Sequence, residues 1–257
     1  MPPREAPARA GAMRLQVRGL TVRFGGLAAL TDVDLDVADG QVVGLIGPNG
    51  AGKTTVFNAV SGLVRPAAGA ITVAGRPAPR APSGLARAGV ARTLQGLGLF
   101  PGLSVLENVE VGALDPPDHA TPEAATPEPA TRALRALDDL GIADRAALPV
   151  GALPYPEQKK VALARALVAG PRLLLLDEPA GGLGAADIAE LDAVVRRVAA
   201  TGCAVLLVEH HVDFVMGLCD RVVVLDFGRV IADGLPDDVR RDPAVTAAYL
   251  GIEVTAP

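Results

Sequence analysis

The sequence predicts a mixed α/β domain in which an antiparallel β layer precedes a set of parallel strands and helices. Apolar and polar residues alternate between residues 15 and 37, as they do in half-buried antiparallel strands. The later strands, at 172–176 and 204–208, are almost continuously apolar, which is typical of parallel strands buried on both faces. Helical periodicity between these strands favours one sheet covered by helices, so the 257 residues can form a single α/β unit.

The predicted elements follow one another in the order that such a domain requires. The first half supplies the alternating strands, a short buried strand, a helix and one more strand of the first layer, at 15–37, 41–46, 54–60 and 70–73. Two helices then follow, at 132–140 and 158–168. The second half supplies strands around one helix, at 172–176, 185–199, 204–208, 221–225 and 230–232. Residues 115–131, rich in Pro, Ala, Thr and Glu, cannot supply core side chains, so we expect an exposed, mobile connection there.

The composition excludes several classes of partner. The formal net charge is -5 and no run of Lys or Arg could track a phosphate backbone, so nucleic acid is not an expected partner. The longest uncharged apolar stretches, such as 173–176 and 222–225, have the length of a strand and fall far short of the roughly 20 residues of a membrane span. Any contact with a membrane must therefore go through another protein.

The cysteines and the N-terminal segment indicate a compartment. Cys203 and Cys219 lie in apolar segments without the spacing of a disulfide framework or a zinc site, which fits a reducing cytoplasm. Residues 1–13 combine charge and proline without the apolar stretch of a secretion signal, so we expect a disordered tail. Met13 is a second candidate start.

A glycine-rich loop lies between the strand at 41–46 and the helix at 54–60. It consists of Gly47, Pro48, Asn49, Gly50, Ala51, Gly52, Lys53 and Thr54, followed by Thr55, and has the spacing GxxxxGK[ST]. Glycines let successive backbone N–H groups turn toward a triphosphate at the positive end of a helix, while Lys53 supplies a point charge and the Thr54 hydroxyl a magnesium ligand. The alternative is a plain glycine turn, but lysine is so scarce in this chain that a chance match is rare. The loop predicts a protein that handles nucleotides.

Two adjacent carboxylates end the buried strand at 172–176, at the edge where α/β sheets place their ligands. Asp177 can bind magnesium through water, and Glu178 can orient and polarise the water that attacks a γ-phosphate. The alternative is a strand that ends in acidic turn residues, which a phosphate loop upstream disfavours. His210 and His211 follow the next buried strand, and a histidine there is either functional or simply polar at a strand end.

Together these segments resemble the ATP-binding subunit of ABC transporters, and most closely the subunits of branched-chain amino acid importers, over residues 15–254. The resemblance implies an α/β P-loop NTPase core of the ABC type with an antiparallel β layer and an inserted helical subdomain. The implied domain spans 14–254, with the helical subdomain at approximately 96–168 and tails at 1–13 and 255–257.

The resemblance also implies roles for single residues. Phe24 matches an aromatic residue that stacks on adenine, although a core phenylalanine is the alternative. His210, rather than His211, matches the histidine that contacts the γ-phosphate, and Glu178 matches the catalytic base. The magnesium ligands are then Thr54, Gln95 and Asp177. Phe100, Pro101 and Leu103 form an apolar turn that is expected either to receive a cytoplasmic helix of the membrane subunits or to pack within the helical subdomain.

One segment departs from the family pattern. The signature LSGGQ, which reaches the γ-phosphate held by the partner in a head-to-tail dimer, is replaced by Leu153, Pro154, Tyr155, Pro156 and Glu157. Pro154 lacks the serine hydroxyl and Pro156 lacks the glycine N–H, although proline suits the first turn of a helix. Glu157 adds negative charge near the phosphate unless it turns toward Lys160 or solvent. A second departure is Gly184, where the family has Asp or Asn at the dimer contact.

The predicted function is hydrolysis of ATP with Mg2+ to energise an ABC importer for branched-chain or related amino acids. The expected partners are a second ATPase subunit in a heterodimer, two transmembrane permease subunits and, indirectly, a solute-binding protein. The expected location is the cytoplasm, peripheral on the inner face of the plasma membrane. Two alternatives remain open: a lipid or lipopolysaccharide export ATPase subunit, and a weakly catalytic ATP-binding clamp.

Overall fold

The computed structural model describes residues 12–94, 96–114 and 127–250. The described strands are β1 Met13–Phe24, β2 Leu27–Ala38, β3 Val42–Ile46, β4 Ala68–Val73, β5 Arg76–Pro77, β6 Val90–Arg92, β7 Leu173–Asp177, β8 Ala204–Val208, β9 Arg221–Asp226 and β10 Arg229–Gly234. The described helices are α1 Lys53–Val60, α2 Val105–Ala113, α3 Pro129–Asp138, α4 Tyr155–Leu167, α5 Ala185–Ala200, α6 Val212–Leu218, α7 Pro236–Arg241 and α8 Pro243–Leu250.

The described strands form two sheets, one antiparallel and one mostly parallel. The first sheet is antiparallel, with the order β2-β1-β4-β5. The second has the order β10-β9-β3-β8-β7-β6, and all its pairings are parallel except that of β9 with β10. The carboxyl ends of β3, β7 and β8 are therefore neighbours at one edge, where α/β sheets bind ligands. The predicted α/β fold with an antiparallel layer is confirmed.

The parallel strands are continuously apolar because they face two cores. Leu173 and Leu175 of β7 pack with α1 and the inner face of the antiparallel sheet. Leu174 and Leu176 face the opposite side, where they pack with α2 to α6. Side chains of successive strand residues point to opposite faces, so a strand with a core on each side needs an apolar residue at every position.

The helical region between β6 and β7 is built on α2, α3 and α4, which share one core with the parallel sheet. Val105 and Val109 of α2, Leu137 of α3 and Val161 of α4 are fully buried in it. This arrangement is the inserted helical subdomain of the predicted fold class. In the described residues, no helix is both long enough and apolar enough to cross a membrane.

Most predicted elements agree with the structure to within three residues at each end, with differences at the two tails, the connection and one helix start. Of the predicted tail at 1–13, residues 1–11 lie outside the described residues, whereas Met13 begins β1. Of the connection predicted at 115–131, residues 115–126 also lie outside them, and Pro129 opens α3 because proline is favoured in a first turn. Helix α4 begins at Tyr155 rather than at residue 158, so the altered signature forms its first turn. The tail predicted at 255–257 also falls outside the described residues.

Candidate functional site

The glycine-rich loop connects β3 to α1 through backbone that only glycine adopts readily. Gly47 has φ 150°, and a Cβ atom at this position would lie 2.0 Å from the Leu225 carbonyl oxygen. Gly52 has φ 106° and precedes α1 as its N-cap residue. The other loop residues, Pro48, Asn49, Gly50 and Ala51, form the turn between them. The spacing of the glycines in the sequence is therefore a requirement of the backbone path.

The loop and helix α1 present donors to an anion. Within the described residues, the amides of Lys53, Thr54 and Thr55 at the start of α1 have no acceptor, as expected for the first turn of a helix. Lys53 is 6% exposed, and its ammonium donates to the carbonyl oxygens of Gly47 at 2.7 Å and Pro48 at 2.9 Å. Burial lowers the pKa of Lys53, while the negative charge of Glu178 opposes that shift. Unpaired amides, a helix N-terminus and a cation are the donors that a phosphate group requires.

Asp177 ends β7 and is held by the neighbouring strand β6. Its side chain is 7% exposed, its N–H donates to Thr93 Oγ1 at 3.2 Å, and its Oδ2 accepts from the Arg92 guanidinium at 3.0 Å. Arg92 also donates to Asn58 Oδ1 at 3.0 Å and Ser61 Oγ at 3.1 Å, both on the α1 side of the site. Arg92 thus connects Asp177, the predicted metal ligand, to α1, the helix that follows the phosphate loop, through charge-assisted hydrogen bonds.

The predicted magnesium ligands are too few to hold the ion by themselves and suit a site in which the bound phosphates supply further ligands. Thr54 lies in the first turn of α1 and Asp177 at the end of β7, whereas Gln95 lies outside the described residues. Among the residues described, no cluster of three His, Cys, Asp or Glu side chains is placed to hold a metal by itself. A hydroxyl and one carboxylate suit Mg2+, which keeps several waters and takes its other ligands from substrate phosphates.

Glu178 and His210 are brought together by the ends of β7 and β8. Glu178 Oε1 lies 2.7 Å from His210 Nε2, and the Glu178 N–H donates to the Val208 carbonyl oxygen at 2.9 Å. Glu178 has φ 49°, a left-handed conformation that is unfavourable for a residue with a side chain. Such strain is characteristic of functional sites that are held from several directions. A carboxylate and an imidazole in contact can together orient a water molecule and a phosphate oxygen.

Sequence reasoning missed Glu209, which joins the loops that follow β7 and β8. Its side chain is 1% exposed, and its Oε1 accepts from the Ala180 N–H at 2.6 Å. Its Oε2 accepts from the N–H of His210 at 2.9 Å and lies 3.2 Å from His211 Nδ1. Glu209 therefore connects the two loops through hydrogen bonds to their main chain. His211 is the N-cap residue of α6 and faces the same carboxylate.

Phe24 lies at the end of β1, where the hairpin to β2 turns. Its side chain is 52% exposed, and it pairs with Leu27 in the antiparallel sheet. It is therefore not the core phenylalanine that was the alternative to an adenine-stacking residue. An exposed aromatic ring at a sheet end is available to a planar base.

The altered signature forms the start of α4. Leu153 is 5% exposed, Pro154 is the N-cap residue and Pro156 lies in the first turn. Glu157 Oε2 lies 3.6 Å from the Arg145 guanidinium, a distance that suits an ion pair but not a hydrogen bond. Of the two directions considered for Glu157, the structure does not show the one toward Lys160, because Glu157 lies beside Arg145 and Lys160 pairs with Glu190 at 2.5 Å.

The turn that precedes α2 exposes part of its apolar surface. Phe100 is 47% exposed, and the Arg165 guanidinium of α4 lies 5.8 Å from the centre of its ring. Asn108 is fully buried beneath the turn and donates to the carbonyl oxygens of Phe100 at 3.1 Å and Ser104 at 2.9 Å. A buried amide thus organises a turn whose aromatic side chain faces solvent.

Comparison with known protein families gives two matches. A family described as ABC transporter matches residues 30–181. A second family, described as branched-chain amino acid ATP-binding cassette transporter, matches residues 229–255, which include β10, α7 and α8. The first match covers more than half of the chain.

Curated relatives extend over nearly the whole chain. The high-affinity branched-chain amino acid transport ATP-binding protein LivG of Escherichia coli K12 is 38% identical over 251 residues, covering 92% of this chain and 97% of LivG. The protein BraF of Pseudomonas aeruginosa, with the same description, is 39% identical over 251 residues, with 92% and 97% coverage. The lipopolysaccharide export system ATP-binding protein LptB of Acidithiobacillus ferridurans is 34% identical over 238 residues, with 92% and 96% coverage.

Solved structures share the fold. A nucleotide-free ATP-binding cassette from an ABC transporter superposes with a TM-score of 0.82 at 26% identity, covering 92% of this chain and 98% of that one. An ATP-binding cassette in its ADP conformation superposes with a TM-score of 0.81 at 27% identity, with 93% and 99% coverage.

Proposed function

Because the chain belongs to the ABC transporter ATP-binding family, we propose that it is the ATP-hydrolysing subunit of an importer of branched-chain or related amino acids. ATP hydrolysis is supported by the contact between Glu178 Oε1 and His210 Nε2, which lie 2.7 Å apart at the sheet edge where the phosphate loop also lies. The substrate class is supported by the C-terminal family match at 229–255 and by the identity to LivG and BraF, which exceeds that to LptB. The lipopolysaccharide export alternative is therefore more distant.

In the proposed site, different residues bind the adenine base, the phosphates and the magnesium ion. Phe24 stacks on adenine, while the amides at the start of α1 and the Lys53 ammonium hold the phosphates. Thr54, Asp177 and Gln95 hold Mg2+, which neutralises charge on the phosphate oxygens when it is bound. Arg92 keeps the Asp177 carboxylate in place through its contact at 3.0 Å.

Hydrolysis in this site depends on Glu178 and His210. The Glu178 carboxylate polarises the attacking water by accepting its proton, which is the work of a general base. His210, held against that carboxylate, orients the γ-phosphate end of the nucleotide. The buried Glu209 fixes the main chain of His210, so the imidazole is positioned before the substrate arrives.

The altered signature supports a heterodimer. Pro156 supplies no N–H and Pro154 no hydroxyl, so a second copy of this chain offers a poor surface to the γ-phosphate across a head-to-tail dimer. A partner ATPase with an intact signature completes the site that contains Glu178 of this chain. The dimer works under two permease subunits at the inner face of the plasma membrane, and the exposed turn at Phe100 receives a cytoplasmic helix of a permease.

Transport by the reconstituted assembly tests the proposed function. The complete transporter is reconstituted in proteoliposomes. ATP is supplied on the side of the membrane that carries the ATPase subunits, and a solute-binding protein loaded with leucine, isoleucine or valine is supplied on the other side. The expected result is amino acid uptake that requires ATP and stops with Glu178→Gln in this subunit. ATP-dependent extraction of lipid or lipopolysaccharide, without amino acid uptake, would instead identify an exporter and overturn the proposal.

A further inference from the structure

Lys159, on the helix that begins with the altered signature, contacts the main chain at the end of β7. Its ammonium donates to the carbonyl oxygen of Glu178 at 3.0 Å and to that of Pro179 at 2.7 Å. The Lys159 side chain therefore connects helix α4 to the main chain of Glu178. The inference drawn from this contact rests on the proposed role of Glu178 as the base.

The main chain of Glu178 needs external support because its φ of 49° is unfavourable for glutamate. The N–H of Glu178 donates to the Val208 carbonyl oxygen at 2.9 Å, and its carbonyl oxygen accepts from the Gly181 N–H at 3.2 Å. Lys159 adds a charge-assisted hydrogen bond to that same carbonyl oxygen. Of these supports, Lys159 is the one that comes from the helical region.

The contact spans an opening between two parts of the molecule. A cavity of about 370 Å³ lies between α4, the end of β7 and α5, and Lys159, Leu163, Leu176 and Leu191 are among its lining residues. Side chains therefore do not pack continuously between α4 and β7 at this place. The long lysine side chain reaches across this opening, beside the apolar core that α4 and β7 share.

The surroundings of Lys159 hold it in this position. The Tyr155 ring lies 5.6 Å from its ammonium, and the same ring covers Gly182, where a Cβ atom would lie 3.0 Å from Tyr155 Cε1. Burial lowers the pKa of Lys159, while the carboxylates of Glu209 and Glu178 oppose the shift. A half-buried cation beside two carboxylates and an aromatic ring has little freedom to leave.

We propose that Lys159 is a positioning residue that couples α4 to the hydrolytic carboxylate of the same chain. When α4 moves against the parallel sheet, the two hydrogen bonds to Glu178 and Pro179 transmit that movement to the strained main chain of Glu178. Contact of the partner subunit or the permease with the helical region is thereby communicated to the base. The coupling acts within one chain and does not require a functional signature.

Three substitutions test this coupling in the complete transporter. Lys159→Met keeps the length of the stem and removes the donors, whereas Lys159→Arg keeps charge and donors. Lys160→Met is the matched control, because Lys160 is the next residue of α4 and pairs with Glu190 rather than with the strand end. The measurements are kcat and KM for ATP, affinity for a fluorescent ATP analogue, and the ratio of ATPase rates with and without loaded solute-binding protein.

The expected result is a split between binding and turnover. Lys159→Met lowers kcat by about 10-fold or more, since small misplacements of a reacting group are costly, while KM and analogue affinity stay within about 2-fold. Stimulation of the Lys159→Met enzyme by loaded binding protein disappears. Lys159→Arg keeps most of the parental kcat and most of the stimulation, and Lys160→Met behaves like the parent. If Lys159→Met does not fold, Lys159→Gln replaces it with the same expectation.

Several outcomes would overturn the coupling. One is a Lys159→Met enzyme with parental kcat and parental stimulation. Another is a variant that loses analogue binding and thermal stability but keeps its stimulation ratio, which identifies a purely structural contact. Glu178→Gln measured in parallel separates the two proposals: full hydrolysis by that variant refutes Glu178 as the base, whatever Lys159 does.

Discussion

Lys53 is folded against its own loop, where it donates to the carbonyl oxygens of Gly47 and Pro48. Its burial keeps the ammonium against the loop that is proposed to bind phosphate, and the lowered pKa reflects the loss of water around it. The attraction of Glu178 keeps the charged form favourable. Lys53 is therefore available to exchange its two carbonyl contacts for phosphate oxygens.

Replacing Lys53 by alanine is expected to weaken binding of magnesium ATP sharply. The phosphate charge then depends on backbone dipoles alone, because the cationic side chain of the loop is gone. Titration of the purified chain with a fluorescent ATP analogue measures the effect, and Lys160→Ala, which removes a lysine far along the chain, is the control. Unchanged affinity in Lys53→Ala contradicts the assignment of this loop.

Glu178→Gln is expected to separate binding from chemistry. The amide keeps the size and hydrogen-bonding reach of the side chain but cannot accept the proton of the attacking water, so turnover falls by about 100-fold or more while ATP still binds. Phosphate release by the complete transporter measures turnover, and gel filtration with ATP detects a trapped dimer. Parental hydrolysis would exclude Glu178 as the base.

The two buried thiols are expected to resist alkylation in the folded chain. Burial raises the pKa of Cys203 from 9.0 to about 12 and raises that of Cys219 as well. Between pH 9 and 12, the unfolded chain releases thiol protons that the folded chain keeps, so the free energy of unfolding falls as pH rises through this window. Iodoacetamide at pH 8.5 should modify both thiols only after denaturation, as read by mass spectrometry. Rapid modification of the native chain would contradict their burial.

At the scale of elements, α2 begins with a reciprocal cap beneath the exposed turn. Ser104 Oγ accepts from the Glu107 N–H at 3.2 Å, and Glu107 Oε2 accepts from the Ser104 N–H at 2.7 Å. Hydrogen bonds from the Ser104 N–H and the Ser104 hydroxyl to the Glu107 carboxylate lower the pKa of Glu107. With the buried Asn108 they give the turn a defined shape without covering Phe100. A shaped, partly apolar turn is suited to receive a helix of another subunit.

Phe100→Ser is expected to lower transport and co-purification with the permease while ATP binding stays intact. The substitution removes exposed apolar surface from the turn but leaves the Ser104 cap and the Asn108 hydrogen bonds in place. Pull-down of the permease from membranes and an uptake assay measure the effect. Leu134→Ser is the matched control, since Leu134 is 42% exposed on α3. Full assembly and uptake by Phe100→Ser would show that this turn does not face the permease.

At the scale of the whole molecule, the residues proposed for hydrolysis and the altered signature lie in different parts of the chain. The phosphate loop, Asp177, Glu178 and His210 lie at the edge of the parallel sheet, whereas the altered signature lies at the start of α4. Gly184, the N-cap residue of α5, offers no side chain to a dimer interface. The asymmetry within the chain favours a partner that supplies what this chain lacks.

A homodimer of this chain is expected to hydrolyse ATP feebly, because each site lacks a backbone donor at the γ-phosphate. By analogy with loss of one oxyanion-hole donor, the missing contact is worth roughly 3 kcal/mol. Restoring Pro154, Pro156 and Glu157 together to Ser, Gly and Gln is expected to raise the ATPase rate of the chain alone. Single restorations are the controls, since only the combined change recreates the hydroxyl, the N–H and the neutral side chain.

The same asymmetry predicts unequal roles in the heterodimer. Glu178→Gln in this chain should stop turnover, whereas the equivalent change in the partner should reduce it far less. A vigorous ATPase from the unmodified homodimer, equal to the restored form, contradicts the importance of these signature positions.

Much of the fold and of the phosphate site was predictable because local patterns determine them. Alternation along β1 and β2, continuous apolar residues in β7 and β8, and the glycine spacing of the loop are properties of neighbouring residues. Each restricts the backbone or the buried face directly, without knowledge of the rest of the chain. The adjacent positions of Asp177 and Glu178 at the end of a buried strand belong to the same class.

The partners of these residues depended on tertiary structure. Arg92 meets Asp177 across 85 positions and Lys159 meets the Glu178 main chain across 19, and no local pattern predicts either pairing. The turn of Glu157 toward Arg145, rather than toward Lys160, depended on how the start of α4 packs against the segment before it. Strand order and helix packing decide which distant charges meet, because Coulomb attraction depends on the distance between two groups in space and not on their separation along the chain.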